Sequence, residues 1–478
     1  MNTNILVRLL LLLLAAVMIL SCVACKTTVE EGSGDNISEV DTGPYANLPK
    51  TTFDGRDMVV ATLVDWGADW TYDTYSGDVI NDTLYERNAA FEERYDCNLT
   101  KFEDNNVHQI IYNSYMSDSK DFDLIYPHPT TGIGLLLESG ALADLKTSNI
   151  LDFSGNGWNQ QQIDNYTTNG KLYLAVPDAS IHGQGFGALV YNRDLYNSYG
   201  FEVDIHETVM NGEWTAEVLH SILTEVATEN DSASKTYGLI DNHSGTYGWI
   251  YALGGSILTK NSEGEFLCGM TQSSIVSLCD AFLKIENGGD YMLVGQAHNA
   301  IYPNSEMWTT FTAGKGLFIR FDVGASSVLL RNLSFDEGYA PLPMSSKTQG
   351  GYRVFCGAGF YAVPSKCQSF EQSCILLEYA AIHGAEKLRP IFFETIINGR
   401  LAENPEDSAM LNLLHDSKIF DFGFTLDSSS NLITHYLRDS VYVTKSSGGA
   451  AVWLMQNQNL FQKLIDTANK LGEDKTDA

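Results

Sequence analysis

Apolar residues fall into short runs along the chain, and the period of each run predicts an element. Met58–Val64 is a compact β-prone run with polar residues on both sides, and Phe122–Tyr126 is a second, stopped by Pro127-His128-Pro129. Both predict buried strands. Between them Leu84, Asn88, Phe91 and Tyr95 recur at helical spacing. Thr83-Leu84-Tyr85-Glu86 reads as the capping box that opens that helix. A helix-like run ends near Gly140-Ala141-Leu142, and Gly170–Asp178 predicts a hairpin strand. Further on, Gly316–Asp322 predicts another strand and Thr215 an N-cap. Ser369-Phe370-Glu371-Gln372 opens a helix that Gly384 is expected to terminate. The strand–helix–strand alternation implies parallel α/β layers. In such sheets ligand groups gather on loops at the carboxyl ends of strands, so the loops after Val64 and Tyr126 come first.

The N-terminus carries one cation, Arg8, and then an apolar run from Leu9 to Leu20. Twelve residues fall short of the about 20 needed to span a bilayer and suit the core of a secretory signal. Ser21-Cys22-Val23-Ala24-Cys25-Lys26 follows, where cleavage is expected. It is similar to the lipobox of bacterial lipoproteins, which implies a signal peptide over 1–24 and lipidation of Cys25, with Cys22 as the competing position. Residues 25–50 are polar and acidic and predict a flexible tether reaching about 25–30 Å. Its negative charge would hold the body off anionic headgroups.

Composition narrows the classes. A chain of 478 residues exceeds one ordinary domain, so two lobes are expected. With 44% hydrophobic and 19% charged residues, wholesale disorder is excluded. Lys+Arg 29 against Asp+Glu 60 gives a net charge of −31, which repels phosphate backbones and argues against nucleic acid. Eight cysteines are too few for a disulfide-built scaffold, and their spacing matches no metal site. No metal, cofactor or catalytic signature is expected from the motifs present.

One ordered series of motifs is more specific. Asn81–Tyr95, Phe122-Asp-Leu-Ile125, Gly140–Leu145, Gly170-Lys-Leu-Tyr173, Tyr191-Asn-Arg-Asp-Leu195 and Gly212-Glu-Trp-Thr215 together resemble the extracellular solute-binding proteins of bacterial ABC importers, the group that includes maltose-binding protein. The similarity runs from about Met58 to about Gly423. It implies an α/β, periplasmic-binding-protein-like fold of two lobes. A hinge of crossing strands joins them, and a ligand cleft lies between. The return crossing matches Val354–Pro364, placing lobe one at 51–188 and 357–415 and lobe two at 189–356 and 416–478. The resemblance also implies a monomer, no enzymatic activity, and a permease that receives the solute at the outer face of the cell membrane.

A carbohydrate receptor needs aromatic faces for the C–H side of a sugar ring and polar forks for its hydroxyls. From lobe one the candidates are Asp65, Trp66 and Trp70 on the loop after the first strand, His128 after the second, and Asp178 before the hinge, ahead of His182. Lobe two offers Tyr247, Trp249, Arg320, Asp322 and, on the Gly350-Gly351 loop, Tyr352. Each has an ordinary structural role beside the ligand role. The tryptophans can lid the core, Asp65 can cap a turn, and Arg320 and Asp322, two apart on a strand, can pair with each other. A surface-attached glycoside hydrolase is the alternative, and it requires two carboxylates flanking the scissile bond.

Overall fold

The computed structural model describes residues 43–473 except 65–66, 71–73, 128–131, 182–183, 230–234, 243–245, 289–290, 295–304, 324–329, 331–332, 357–358, 403 and 428–445. The expected signal peptide, with Cys22 and Cys25, lies outside the described residues. The chain divides into Met1–Ala46, described over 43–46 as a short turn, and Asn47–Ala478, which carries all the elements below.

Two sheets organise Asn47–Ala478. In the first, β1 (Arg56–Thr62), β2 (Cys97–Glu103) and β3 (Leu124–Tyr126) pair in parallel in the order β2-β1-β3. Met58, Val60, Ala61, Leu124 and Ile125 are buried. Strands with both faces covered read as continuous apolar runs, which is why the sequence shows them. The intervening helix, Val79–Tyr95, buries Leu84, Asn88, Phe91 and Tyr95 as its period predicts. Its start differs. Asp78, not Thr83, is the N-cap, and its carboxylate accepts from the amides of Ile80 and Asn81. Gly77, at φ 81°, turns the chain into this cap. A carboxylate there also meets the positive end of the helix dipole. Thr83 sits one turn inside, its hydroxyl donating to the Val79 carbonyl at 2.6 Å.

The second sheet contains β4 (Phe186–Asn192), β5 (Tyr237–Asn242), β8 (Tyr291–Val294), β9 (Gly316–Val323) and β10 (Glu337–Ala340), ordered β10-β4-β9-β5-β8. β4 runs antiparallel to β9 and β10, whereas β9, β5 and β8 are parallel. A hairpin of β6 (Leu258–Lys260) and β7 (Phe266–Cys268) stands apart from it. Three segments run between the sheets. The first leads from Ala175, which bridges Tyr361, into β4. The second starts at β11 (Val354–Phe355) and rejoins the first sheet, where Ala362 bridges Ile125. The third starts at β12 (Lys418–Ile419), which pairs in parallel with β11. These three segments join the two sheets, as a hinge of crossing strands requires. The helix Pro405–Asp416 rests on β4 and β10, Ser447–Gln456 on the helix Gln272–Glu286, and Gln458–Lys470 on β7.

Ser369 caps the helix Phe370–His383 as expected. Gly384 does not end it. The chain continues through a π-helical turn over Gly384–Leu388, with Gly384 at φ −58°. Glycine is needed there for space, because a Cβ would stand 2.2 Å from the Asp178 carbonyl. The close approach fixes this helix against the start of the first crossing. Gly384→Ala should therefore cost about 1–3 kcal/mol by overpacking, read as a lower denaturation midpoint. An unchanged midpoint would mean that the two segments separate freely.

Candidate functional site

Strand direction decides where loops from the two sheets collect. β1 and β3 end side by side, with Thr62 opposite Tyr126. In the second sheet β5, β8 and β9 end at one edge, and β4 starts there, with Phe186 opposite Val323. Carboxyl ends of parallel strands are the usual binding edge of such sheets. The described side chains at these two edges form three clusters.

At the first edge Trp70 is 1% exposed. The Arg87 guanidinium lies 4.2 Å from its ring centroid, and the indole N–H donates to the Tyr361 hydroxyl at 3.3 Å. Tyr361 stacks on Tyr126 at 4.5 Å between centroids, and the Tyr126 hydroxyl lies 3.2 Å from Ser180 Oγ. Arg87 is itself buried and donates to the carbonyls of Ala179 (2.6 Å) and Asp69 (2.5 Å) and to Asn88 Oδ1. One buried guanidinium thus ties the loop after β1, the helix Val79–Tyr95 and the first crossing together. Burial pushes the Tyr126 and Tyr361 phenols up, so both stay protonated donors.

At the second edge Asp241, the penultimate residue of β5, is fully buried. It accepts from Arg320 Nε at 2.7 Å, the Trp249 indole at 2.6 Å and the Asn242 amide at 2.7 Å. Burial pushes its carboxyl up, and these three donors pull it back. Arg320 also donates to Asn242 Oδ1 at 3.1 Å and reaches Asp322 at 3.4 Å. The Asp322 side chain is 70% exposed, so its carboxylate is open to a guest. Tyr247, half-buried on the helix Thr246–Ala252, meets the ring of Phe424 edge-on at 5.3 Å.

The third cluster lies on the crossings. Asp178 pairs with Arg389 at 2.6 Å and accepts from Gln184 Nε2 at 2.9 Å. Gln184 Oε1 is 3.3 Å from His415 Nε2, which is 3.0 Å from Lys418 Nζ. Burial, with Lys418 and Arg389 nearby, lowers His415 to about 3. The imidazole is therefore neutral, and its Nε2 serves one neighbour at a time, accepting from Lys418 in one tautomer or donating to Gln184 Oε1 in the other.

The placements sort the sequence candidates. Asp65, Trp66 and His128 lie outside the described residues, as does His182. Tyr247 and Asp322 stand at the second edge with surface available. Trp70 and Trp249 stand at the edges but are sealed, one beneath Arg87 and the other against Phe282 at 6.1 Å. Neither presents a face for stacking, a correction to their reading as platforms. Arg320 pairs chiefly with Asp241 rather than with its strand neighbour Asp322. Tyr352 belongs to neither edge. Its hydroxyl donates to the Val209 carbonyl at 2.9 Å and accepts from the Trp214 amide at 3.3 Å, pinning a loop. Sequence reasoning missed Arg87, Asn88, Asp241, Gln184, Arg389, His415 and Lys418. Asn88 alone gave a signal, as an amide within an apolar helix stripe. Among the described residues no cluster of His, Cys, Asp or Glu is arranged to hold a metal ion.

No protein-family model matches the chain, and no curated protein matches it. Solved structures do. The cyclic alpha-maltosyl-1,6-maltose binding protein from Arthrobacter globiformis aligns at TM-score 0.58 and 12% identity, covering 87% of this chain and 99% of that one. A sugar transporter from Rhizobium etli in an open conformation aligns at 0.55 and 13%, covering 86% and 99%. The GacH receptor of Streptomyces glaucescens, solved unliganded and with acarbose, aligns at 0.53 and 16%, covering 86% and 99%. The chain has the two-lobed fold of maltose-binding-protein-like substrate-binding proteins.

Arg320→Ala would leave Asp241 buried beside Trp249 without its counter-charge. The loss should be about 3–5 kcal/mol in chemical denaturation. Adding Asp241→Asn should recover part of it, and no recovery would mean that the pair does not couple. The second expectation concerns pH. Unfolded His415 takes a proton near 6.5, whereas the folded residue refuses one until about 3. The unfolded state therefore binds more protons in that window, and stability falls as pH drops from about 6.5 toward 3. His415→Gln should flatten the fall, by up to ~1.4 kcal/mol per pH unit. Equal slopes in both proteins would contradict the neutral buried imidazole.

Proposed function

We propose that this chain is a lipid-anchored, extracellular receptor that captures a carbohydrate between its lobes and delivers it to an ABC permease. The observation that carries the reading is the two-lobed fold itself, shared with solved neighbours several of which bind sugars, in which each sheet offers one carboxyl-end strand edge. Complexes with cycloalternan and with maltotetraose belong to the same set. The guest would rest on Tyr247 and hydrogen-bond Asp322 from lobe two, and meet Asp65, Trp66 and His128 from lobe one. Trp70, Trp249 and Arg320 stand behind them as supports, and Asp178 closes the hinge side. Cys25 would carry the lipid, with the acidic segment to Lys50 as the tether. The receptor works as a monomer, with the energy for import supplied by separate subunits.

Carboxylate chemistry favours a receptor over a hydrolase. A glycosidase needs an acid with a raised pKa poised over its substrate. Asp241 and Asp178 are each held by an arginine. Glu378, pushed to about 7 by burial, is 4% exposed and accepts from the Trp158 indole and the Asp152 amide. It supports a fold contact and faces no cleft.

The full-length protein titrated with maltodextrins should show a saturable rise in unfolding temperature. The stabilisation reaches about 2.7 kcal/mol at a hundredfold excess over the dissociation constant. Tyr247→Ala combined with Asp322→Ala should weaken binding at least tenfold and leave the ligand-free midpoint in place. Chromatography should return the sugar intact. Shortened products would establish a hydrolase, and shifts with peptides but not sugars would move the receptor to another solute class.

A further inference from the structure

A cavity of about 670 Å³ lies away from both strand edges, and none of the edge residues lines it. One wall is the helix Gln160–Tyr166, through Asn165; the others are β6, the loop before β11, and β12. Three cations face it, namely Lys260, Arg353 and Lys418. This is against the average of a chain with net charge −31.

The partners of these cations are the informative part. Arg353 Nη1 donates to the Gly254 carbonyl at 3.2 Å and Nη2 to Ser256 Oγ at 2.8 Å. A guanidinium has five N–H donors, so most of them are left to the cavity. Lys260 Nζ donates to the carbonyls of Asp164 and Thr167, both neutral acceptors. Among the described residues no carboxylate lies within salt-bridge distance of Arg353 or Lys260. Two acids do line the cavity. Asp421 is buried and spent on the amides of Ile257, Leu258 and Gly423. Asp416 sits at the rim with an 81% exposed side chain, where water screens it. Burial lowers both cations, Lys260 to about 8, because the water each has lost outweighs the more distant pull of Asp164 on Lys260 and of Asp421 on Arg353. A planar fork and a point charge lining one cavity are the donor types that hold a carboxylate or phosphate. The volume exceeds what a bare ion fills and leaves room for an organic remainder.

We propose that this cavity is a second binding site, for a small organic anion whose carboxylate or phosphate group is gripped by the Arg353 fork with Lys260 alongside. The site stands whether or not the cleft takes a sugar. Calorimetric titration of the full-length protein at matched ionic strength tests it, with inorganic phosphate, a hexose phosphate and citrate as probes. One organic probe should bind saturably at one equivalent. Tighter binding of the hexose phosphate assigns a phosphate, and tighter binding of citrate a carboxylate. Arg353→Gln should weaken that probe at least tenfold, and Arg353→Lys, which keeps the charge but loses the fork, by less. Maltodextrin affinity should stay the same in both. Lys260→Gln, independent of the Arg353 loop, should weaken the anion several-fold. The proposal is overturned if the wild-type protein shows no saturable binding at millimolar probe. It is overturned equally if Arg353→Gln and Lys260→Gln, both folded by their ligand-free midpoints, bind as the wild type does.

Discussion

Charge carried out of water on the three crossings is the constraint on which the rest of the body depends. A chain that passes between two sheets takes its side chains into the interior, where a lone ion costs several kcal/mol. Here Asp178, Gln184, His415, Lys418 and Arg389 lie within hydrogen-bond distance of one another in a single row. The first and third crossings, more than two hundred residues apart in sequence, are tied by it. Parallel pairing of β11 with β12 meets the backbone needs of the second and third. With the floor fixed, each sheet keeps one carboxyl-end edge of its own, Thr62 with Tyr126 in the first and Asn242 with Val323 in the second.

The same logic explains why the tryptophans are anchors. Arg87 can be buried because it finds carbonyls, Asn88 and the π-face of Trp70, and an arginine over an indole gains up to about 2 kcal/mol when desolvated. Asp241 can be buried because Arg320 and the Trp249 indole share it. Each tryptophan is thereby consumed in neutralising a neighbour. Aromatic residues make up 11% of the chain, and several go the same way, into the Tyr126–Tyr361–Trp70 set and into Tyr251, Phe355 and Phe424. Tyr247 stands at the outer end of that second set, half in water, which is the position a stacking residue requires.

What the sequence revealed follows from the range of each interaction. The strands and the buried face of Val79–Tyr95 were legible, because a period is a local property. The order of motifs sufficed for the two-lobed plan. Local rules failed where a distant segment intervened. Thr83 satisfied the capping pattern, yet Gly77 and Asp78 turned the chain earlier. Gly384 looked like a terminator, yet it serves the Asp178 carbonyl two hundred residues away. Strand spacing put Arg320 beside Asp322, and that contact exists at 3.4 Å, but the dominant partner is Asp241 on another strand. Of the candidate site, Tyr247 and Asp322 were named in advance and stand at a strand edge, whereas Asp65, Trp66 and His128 lie outside the described residues. The buried polar partners could not be read in advance, since nothing near Gln184 or His415 in sequence marks the other.

The allocation of cations carries the last step, from structure to the charge of a guest. Arginine is scarce in a chain with twice as many acids as bases, so each buried guanidinium reports a local demand. At the strand edges that demand is internal. Arg87 answers to carbonyls and Trp70, Arg320 to Asp241, and Arg389 to Asp178. A solute arriving there finds hydroxyl, phenol and carboxylate groups but, among the described residues, no arginine held in reserve. Hydroxyl-rich neutral molecules fit such a surface, since a carboxylate accepts from them without a charge to balance. An anionic solute would meet repulsion from Asp322 and from the overall field. At the groove beside β6 the allocation is reversed, with Arg353 and Lys260 hydrogen-bonded, among the described residues, to neutral oxygen acceptors. Under the two proposals, one acidic body separates a cleft for an uncharged guest from a groove for an anion by where it has already spent its cations.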